Sequence, residues 1–322
     1  MPSIGLYQHS DCSRHDTGWH HPEHQGRLRA VMDALHRALP DLHGDVEPVV
    51  SGAGDPETFT SAHSQEHIIR VGTACNRAAE SGEIVQVDAD TVVSPGSWDA
   101  ALAAVGCGYA AVDAVLDGRH QAAFCAVRPP GHHATRDRAM GFCLFNNIAL
   151  AAFHALESPA VDRVLIADWD VHHGNGTQDI FYERSDVFFL SMHQHPLYPG
   201  SGSAQETGRG AGEGCTLNLP LAPGLPHSEY VEAFLGGLDE ALSRFEPDLV
   251  LISAGFDAGV EDPLGGFTLR TEDFAGLTRE VVERTRPYAS GHVVSFLEGG
   301  YNPDELGRNV VSHLTALRDA TA

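Results

Sequence analysis

Short apolar runs alternate with longer amphipathic stretches along almost the whole chain, and this alternation is what most limits the folds open to it. The runs predict strands at residues 4–9, 84–87, 124–128, 164–168, 187–192, 216–219, 249–253 and 293–297. The stretches between them predict helices at 22–39, 65–80, 97–116, 147–156, 228–245, 271–286 and 303–318. Such alternation builds a mostly parallel α/β sheet with helices on both faces. The 322 residues suffice for a sizeable core. No repeat, low-complexity segment or linker divides them, so the chain reads as a single domain over 1–322.

Three loop-like segments, 129–141, 194–215 and 255–269, each follow a predicted strand. Open parallel sheets bind ligands at the carboxyl ends of their strands, and the residues with the most chemistry fall at those ends. Asp170 and His172 are two apart just past the run ending at Asp168, so both side chains point the same way from extended backbone. Asp257, in Ser253-Ala254-Gly255-Phe256-Asp257, follows a second apolar run. Two carboxylates and one imidazole would neutralise a divalent cation and leave a position for water, which is the hydrolytic rather than the structural zinc pattern.

Other motifs cluster at the same rim. Arg128-Pro129-Pro130-Gly131-His132-His133 sets two adjacent histidines past a strand. As extra ligands they would exceed what zinc needs, so they read as acid–base groups beside the metal. Asp168 shares the strand face of Asp170 and is a natural partner for an imidazole N–H. Asn175 could serve the second histidine in the same way. In Glu298-Gly299-Gly300-Tyr301, a phenol after two glycines could donate to an oxyanion.

The net charge is −24, and all 20 basic residues are arginine. This balance argues against nucleic acid as a partner and would attract cationic substrates such as basic peptide tails or polyamines. No run approaches 18 consecutive apolar residues, so no membrane association is expected. The six cysteines are scattered with no CxxC pair, and the first residues show no basic-then-apolar leader. Both features fit a cytoplasmic protein with reduced thiols.

Taken together, these motifs resemble the histone deacetylase superfamily, closest to the class II enzymes and the bacterial histone deacetylase-like amidohydrolases. Pro130-Gly131-His132-His133, then Gly141-Phe142-Cys143-Leu144-Phe145-Asn146-Asn147, then Asp168-Trp169-Asp170-Val171-His172-His173-Gly174-Asn175-Gly176-Thr177-Gln178 occur in order, and the match runs from about His15 to Tyr301. Asn175 in place of Asp is the class II form. The resemblance implies an arginase/deacetylase-like open fold with an eight-stranded parallel sheet and one zinc held by Asp170, His172 and Asp257. It pairs His132 with Asp168 and His133 with Asn175, and makes Tyr301 the carbonyl-polarising group. It sets Phe142 on one wall of an acyl-lysine tunnel and Tyr198, where Phe is usual, on the other. It also implies a structural potassium ion on the side chains of Asp168 and Ser191 and the carbonyls of Asp170, His172 and Met192.

The implied reaction is zinc-dependent hydrolysis of acetyl or other short acyl groups from the Nε amine of lysine in proteins or peptides. One alternative is an acetylpolyamine deacetylase, acting on acetylated small amines. Against it, Leu264 stands where the eukaryotic polyamine-selective branch carries a Glu that can pair with a distant ammonium. An arginase-type two-metal site would need further carboxylates where this chain has Gly174 and Gly255. An inactive acyl-lysine-binding scaffold would be expected to lose a ligand or the tyrosine. The group that grips the substrate backbone is left open among Asp88, Asp90 and the 92–97 stretch, and Arg27 is a candidate to line an exit channel for acetate.

Overall fold

A computed structural model describes residues 4–42 and 44–321; residues 1–3, read above for a leader, lie outside the described residues. The elements in chain order are β1 (Ile4–Gln8), α1 (Gly26–Ala38), β2 (Val46–Val50), α2 (Gln65–Ser81), β3 (Val85–Gln86), β4 (Val92–Val93), α3 (Ser97–Leu116), β5 (Ala122–Cys125), α4 (Asn147–Leu156), β6 (Val164–Asp168), α5 (Asn175–Phe181), β7 (Val187–Gln194), β8 (Thr216–Leu221), α6 (His227–Arg244), β9 (Leu249–Ala254), α7 (Thr271–Ala289), β10 (Val293–Leu297) and α8 (Pro303–Thr321).

Eight strands form one parallel sheet in the order β2-β1-β5-β10-β9-β6-β7-β8. Helices α1, α8, α7 and α6 pack in succession, and α2, α3, α4 and α5 form a second series, so both faces are covered. The central strands β6, β9 and β10 are buried at every residue. A strand covered on both faces must be apolar throughout, which is why these runs stood out in the sequence. Helix α3 is long and apolar enough to cross a membrane, but most of it is buried against β1, β5 and α4.

The strand expected at 84–87 is not part of this sheet. Val85–Gln86 pairs antiparallel with Val92–Val93 in a separate two-stranded ribbon. The eighth strand is β2, which was not among the predicted strands and contains Pro48. It runs along the sheet edge, where a missing N–H costs no ladder bond. Helix α5, between Gly174 and the 187–192 run, was also not foreseen.

Candidate active site

β6 and β9 are neighbours, yet the chain leaves β6 toward β7 and β9 toward β10, in opposite directions. Their carboxyl ends therefore open a crevice. Asp170 and His172 enter it just past β6, and Asp257 just past β9. The His172 Nδ1 stands 3.1 Å from Asp170 Oδ1 and 3.1 Å from Asp257 Oδ2. One donor atom from each of these buried residues lies within 4.8 Å of the others. The remaining carboxylate oxygens are fixed by backbone: Asp170 Oδ2 accepts from Gly299 N–H at 2.8 Å, and Asp257 Oδ1 from Val171 N–H at 2.9 Å.

Among the described residues no arginine is hydrogen-bonded to either carboxylate. Two buried anions facing one imidazole are costly unless a cation sits between them, so the residues fit a divalent metal. A Cβ at Gly174 would run into the Asp168 carboxylate, and one at Gly255 into that of Asp170. No fourth ligand side chain can enter at either position.

The histidine pair lies beside this triad, with ring centroids 4.0 Å apart. His132 Nδ1–H donates to Asp168 Oδ2 at 3.0 Å, and His133 Nδ1–H donates to Asn175 Oδ1 at 2.8 Å. With both Nδ1 atoms engaged as donors, each Nε2 is free to face the crevice. Burial disfavours charge on both rings. At His132 the Asp170 and Asp168 carboxylates overcome it and lift the pKa to about 10. At His133, burial and then the neighbouring His132 hold the ring well below the usual histidine range. A cation in the triad would oppose the carboxylates, so the contrast is strongest without metal.

Tyr301 is buried at 9 % exposure. Its N–H donates to Asp262 Oδ2 at 2.6 Å, and the Arg27 guanidinium lies over its ring, 4.8 Å from the centroid. Burial pushes the phenol well above its ordinary range, with Arg27 offsetting part of the rise, so the hydroxyl keeps its proton. Phe142 packs edge-on to Tyr301 at 5.8 Å and to His21 at 4.7 Å. It holds a left-handed backbone, φ 69°, pinned because its N–H donates to Thr91 Oγ1 and that of Gly141 to Asp90 Oδ1. Tyr198 stands perpendicular to His133 at 5.2 Å and 6.3 Å from His172. Leu264 is half-buried in the loop after Asp257.

The rim candidates separate. Asp88 is spent on Arg138, Ser94 and Ser97 are buried, and Asp90 stays partly exposed beside Tyr198. Ser191 pairs in register with Asp168 across β6 and β7, and Met192 is buried next to it.

The chain matches the histone deacetylase domain over residues 21–317. A histone deacetylase-like amidohydrolase of Pseudomonas aeruginosa is 42 % identical over 93 % of this chain and 77 % of its own length. The chain belongs to the histone deacetylase family. A probable deacetylase of Methanothermobacter thermautotrophicus is 38 % identical over 98 % of this chain and 88 % of its own. Among solved structures, the HDA15 HD domain superposes with a TM-score of 0.91 at 34 % identity, covering all of this chain and 90 % of that one. The fold is thus the arginase/deacetylase-like one, and the activity class is that of a deacetylase or amidohydrolase, a hydrolase.

Two groups in this deacetylase-family chain were not singled out from the sequence. Glu298 is fully buried and accepts from the N–H groups of Gly131 (2.7 Å) and His132 (3.2 Å), fixing the histidine loop. Its place before the glycines, at the end of an apolar strand, was the available signal. Glu23 binds Arg128 through both carboxylate oxygens and Arg27 Nη1 at 2.9 Å. Arg27, the residue expected along an exit channel, in turn donates to the carbonyls of Gly300 (2.6 Å) and Glu298 (2.5 Å), which braces the tyrosine loop.

Proposed function

We propose that this chain is a zinc-dependent deacetylase that cleaves the amide of an acetylated lysine side chain in a peptide or protein. The observation that carries the reading is the convergence on one buried Asp–His–Asp triad of a neutral, Asn-oriented histidine and a protonated tyrosine. Asp170, His172 and Asp257 would hold the zinc, which when bound polarises the amide carbonyl and acidifies a water. His133, neutral with Nδ1–H on Asn175, accepts the attacking water's proton at Nε2. The Tyr301 hydroxyl donates to the oxygen that gains charge. His133 then returns the proton to the departing amine. His132, held by Asp168, adds positive charge beside the reacting carbonyl. Phe142 and Tyr198 flank the acyl-lysine stem, and Asp90 faces the substrate backbone.

Asp168 and Ser191, with the carbonyls of Asp170, His172 and Met192, would hold a potassium ion behind the zinc. Leu264 offers no charge to a distant ammonium, which favours acetyl-lysine over acetylpolyamine. The test compares kcat/KM on an acetyl-lysine peptide and on acetylspermidine; a polyamine preference overturns the substrate. His133→Ala and Tyr301→Phe should each lower kcat by about 10²–10⁴-fold with metal content unchanged. Near-full activity in either variant overturns the mechanism.

A further inference from the structure

The sheet has a second place where neighbouring strands send the chain in opposite directions. The chain leaves β1 toward the edge strand β2 and leaves β5 toward the far half of the sheet, while β1 and β5 lie side by side. Such a point opens a crevice at the carboxyl ends for the same reason as the one between β6 and β9. A cavity of about 610 Å³ lies there, bounded by Gln8 and His9 at the end of β1 and by Ala126 just past β5. That volume is in the range of small-molecule sites.

Three features of its wall define a ligand. The floor is apolar, built from Leu28 and Met32 of α1. The two most exposed large hydrophobic residues of the described chain, Val50 at 74 % and Trp19 at 66 %, both border it. Exposed apolar surface gathered at one cavity marks a binding place, whereas scattered residues would not. Among the described residues no acidic side chain lines the cavity, although the protein carries a net charge of −24. The charged and titratable lining groups are Arg29, His36 and His9, and of these, among the described residues, only His9 faces an acid, Asp11 at 3.7 Å. Among the described residues Arg29 has no ion pair or side-chain hydrogen bond.

We propose that this cavity binds a small monocarboxylate with an apolar body, its chain against Leu28, Met32, Val50 and Trp19 and its carboxylate on the Arg29 fork. A planar guanidinium matches a carboxylate in two-point geometry. The site is separate from the deacetylase centre and does not depend on the reading given above for that centre.

Octanoate is the probe, titrated into the metal-loaded protein by calorimetry and by tryptophan fluorescence, with octylammonium as the control of opposite charge. Octanoate should bind saturably at or below about 1 mM and change the emission of the exposed Trp19. Octylammonium should bind at least about tenfold more weakly, even though the overall charge favours it. Arg29→Glu should raise the octanoate Kd at least about tenfold, and Trp19→Ala about fivefold. Both residues are exposed, so both variants should fold. Asp257→Asn, which removes a metal ligand, should leave the binding unchanged. Absence of saturable binding, equal affinity for octylammonium, unchanged affinity in Arg29→Glu and Trp19→Ala, or loss of binding in Asp257→Asn would each overturn the proposal.

Discussion

Two buried charge clusters lie close together in this protein and solve the same problem differently. Glu23 is shared by Arg27 and Arg128, and the guanidinium donors left over go to the carbonyls of Cys12, His15, Glu23, Glu298 and Gly300, so every charge in this cluster has protein partners. Among the described residues Asp170 and Asp257 have no guanidinium partner; only the imidazoles of His172 and His132 face them. A self-satisfied cluster can be structural; one that leaves two carboxylates facing each other is built for something that arrives from outside. The contrast separates support from chemistry without reference to any relative.

The largest effect should come from breaking the second cluster. Asp257→Asn keeps the acceptor for Val171 N–H but removes a ligand charge, so deacetylase turnover should fall by at least about 10³-fold. In metal-free protein the same change relieves repulsion, and the melting temperature should hold or rise. Metal should stabilise the wild type, by about 2.7 kcal/mol at a hundredfold excess over Kd, and the variant much less. A variant less stable than the wild type without metal would contradict the contrast.

Breaking the first cluster should do the reverse. Arg128→Met strips Glu23 of its two-oxygen partner and leaves the carbonyls of Cys12 and His15 without their donor. Such a break costs about 3–5 kcal/mol, seen as a fall in melting temperature of roughly 4–7 °C. Metal content and turnover per folded molecule should change far less. A stable variant that had lost its metal would show that the two clusters act as one.

Most strands, and Asp170 and His172 of the candidate metal triad, were legible in the sequence because each is a local pattern. A strand buried on both faces shows as an unbroken apolar run, and Asp170 and His172 share a face by their spacing alone. The Glu23–Arg128 pair spans 105 positions, and no periodicity links them. β2 was hidden because an edge strand needs neither full burial nor every N–H, and this one is largely exposed and holds Pro48. The 84–87 run misled for the opposite reason. It is rich in β-branched residues, yet Ile84 is 45 % exposed and the segment serves a small ribbon that aims Asp90 and Thr91 at the Phe142 turn.

Acid should separate the two kinds of burial by pH. Burial holds His313 and His63 neutral, with pKa values of about 3 in the folded state against 6.5 when free. Between those values the unfolded chain binds more protons, so this stability is present above pH 6.5 and is lost as pH falls below it. At Glu23, burial raises the pKa, but Arg128 and Arg27 outweigh it and hold the carboxyl at about 2 against 4.5. Its contribution is complete above pH 4.5 and fades as pH falls toward 2. Denaturant midpoints should therefore fall from pH 6.5 downward, with the Glu23 loss added below pH 4.5. His313→Gln should flatten the fall between pH 6.5 and 3, and Glu23→Gln that between pH 4.5 and 2. A fall between pH 6.5 and 4.5 that His313→Gln leaves untouched would refute the assignment.

The smallest effect should come from the residue that links the first cluster to the histidine loop. The Glu298 carboxylate holds the N–H groups of Gly131 and His132, and its own carbonyl accepts from Arg27. Glu298→Gln retains one acceptor oxygen and the backbone carbonyl but loses the charge. A charged acceptor exceeds a neutral one by about 1 kcal/mol, so the variant should lose about that much stability and no more than about tenfold in kcat, with KM unchanged. Glu298→Ala leaves both N–H groups unpaired and should be clearly worse in kcat at similar metal content. If Gln and Ala were equally impaired, the carboxylate would matter for its charge beside His132 rather than as a brace. If both matched the wild type, the histidine loop would be held by the catalytic cluster alone, and the supporting cluster would end at Arg27.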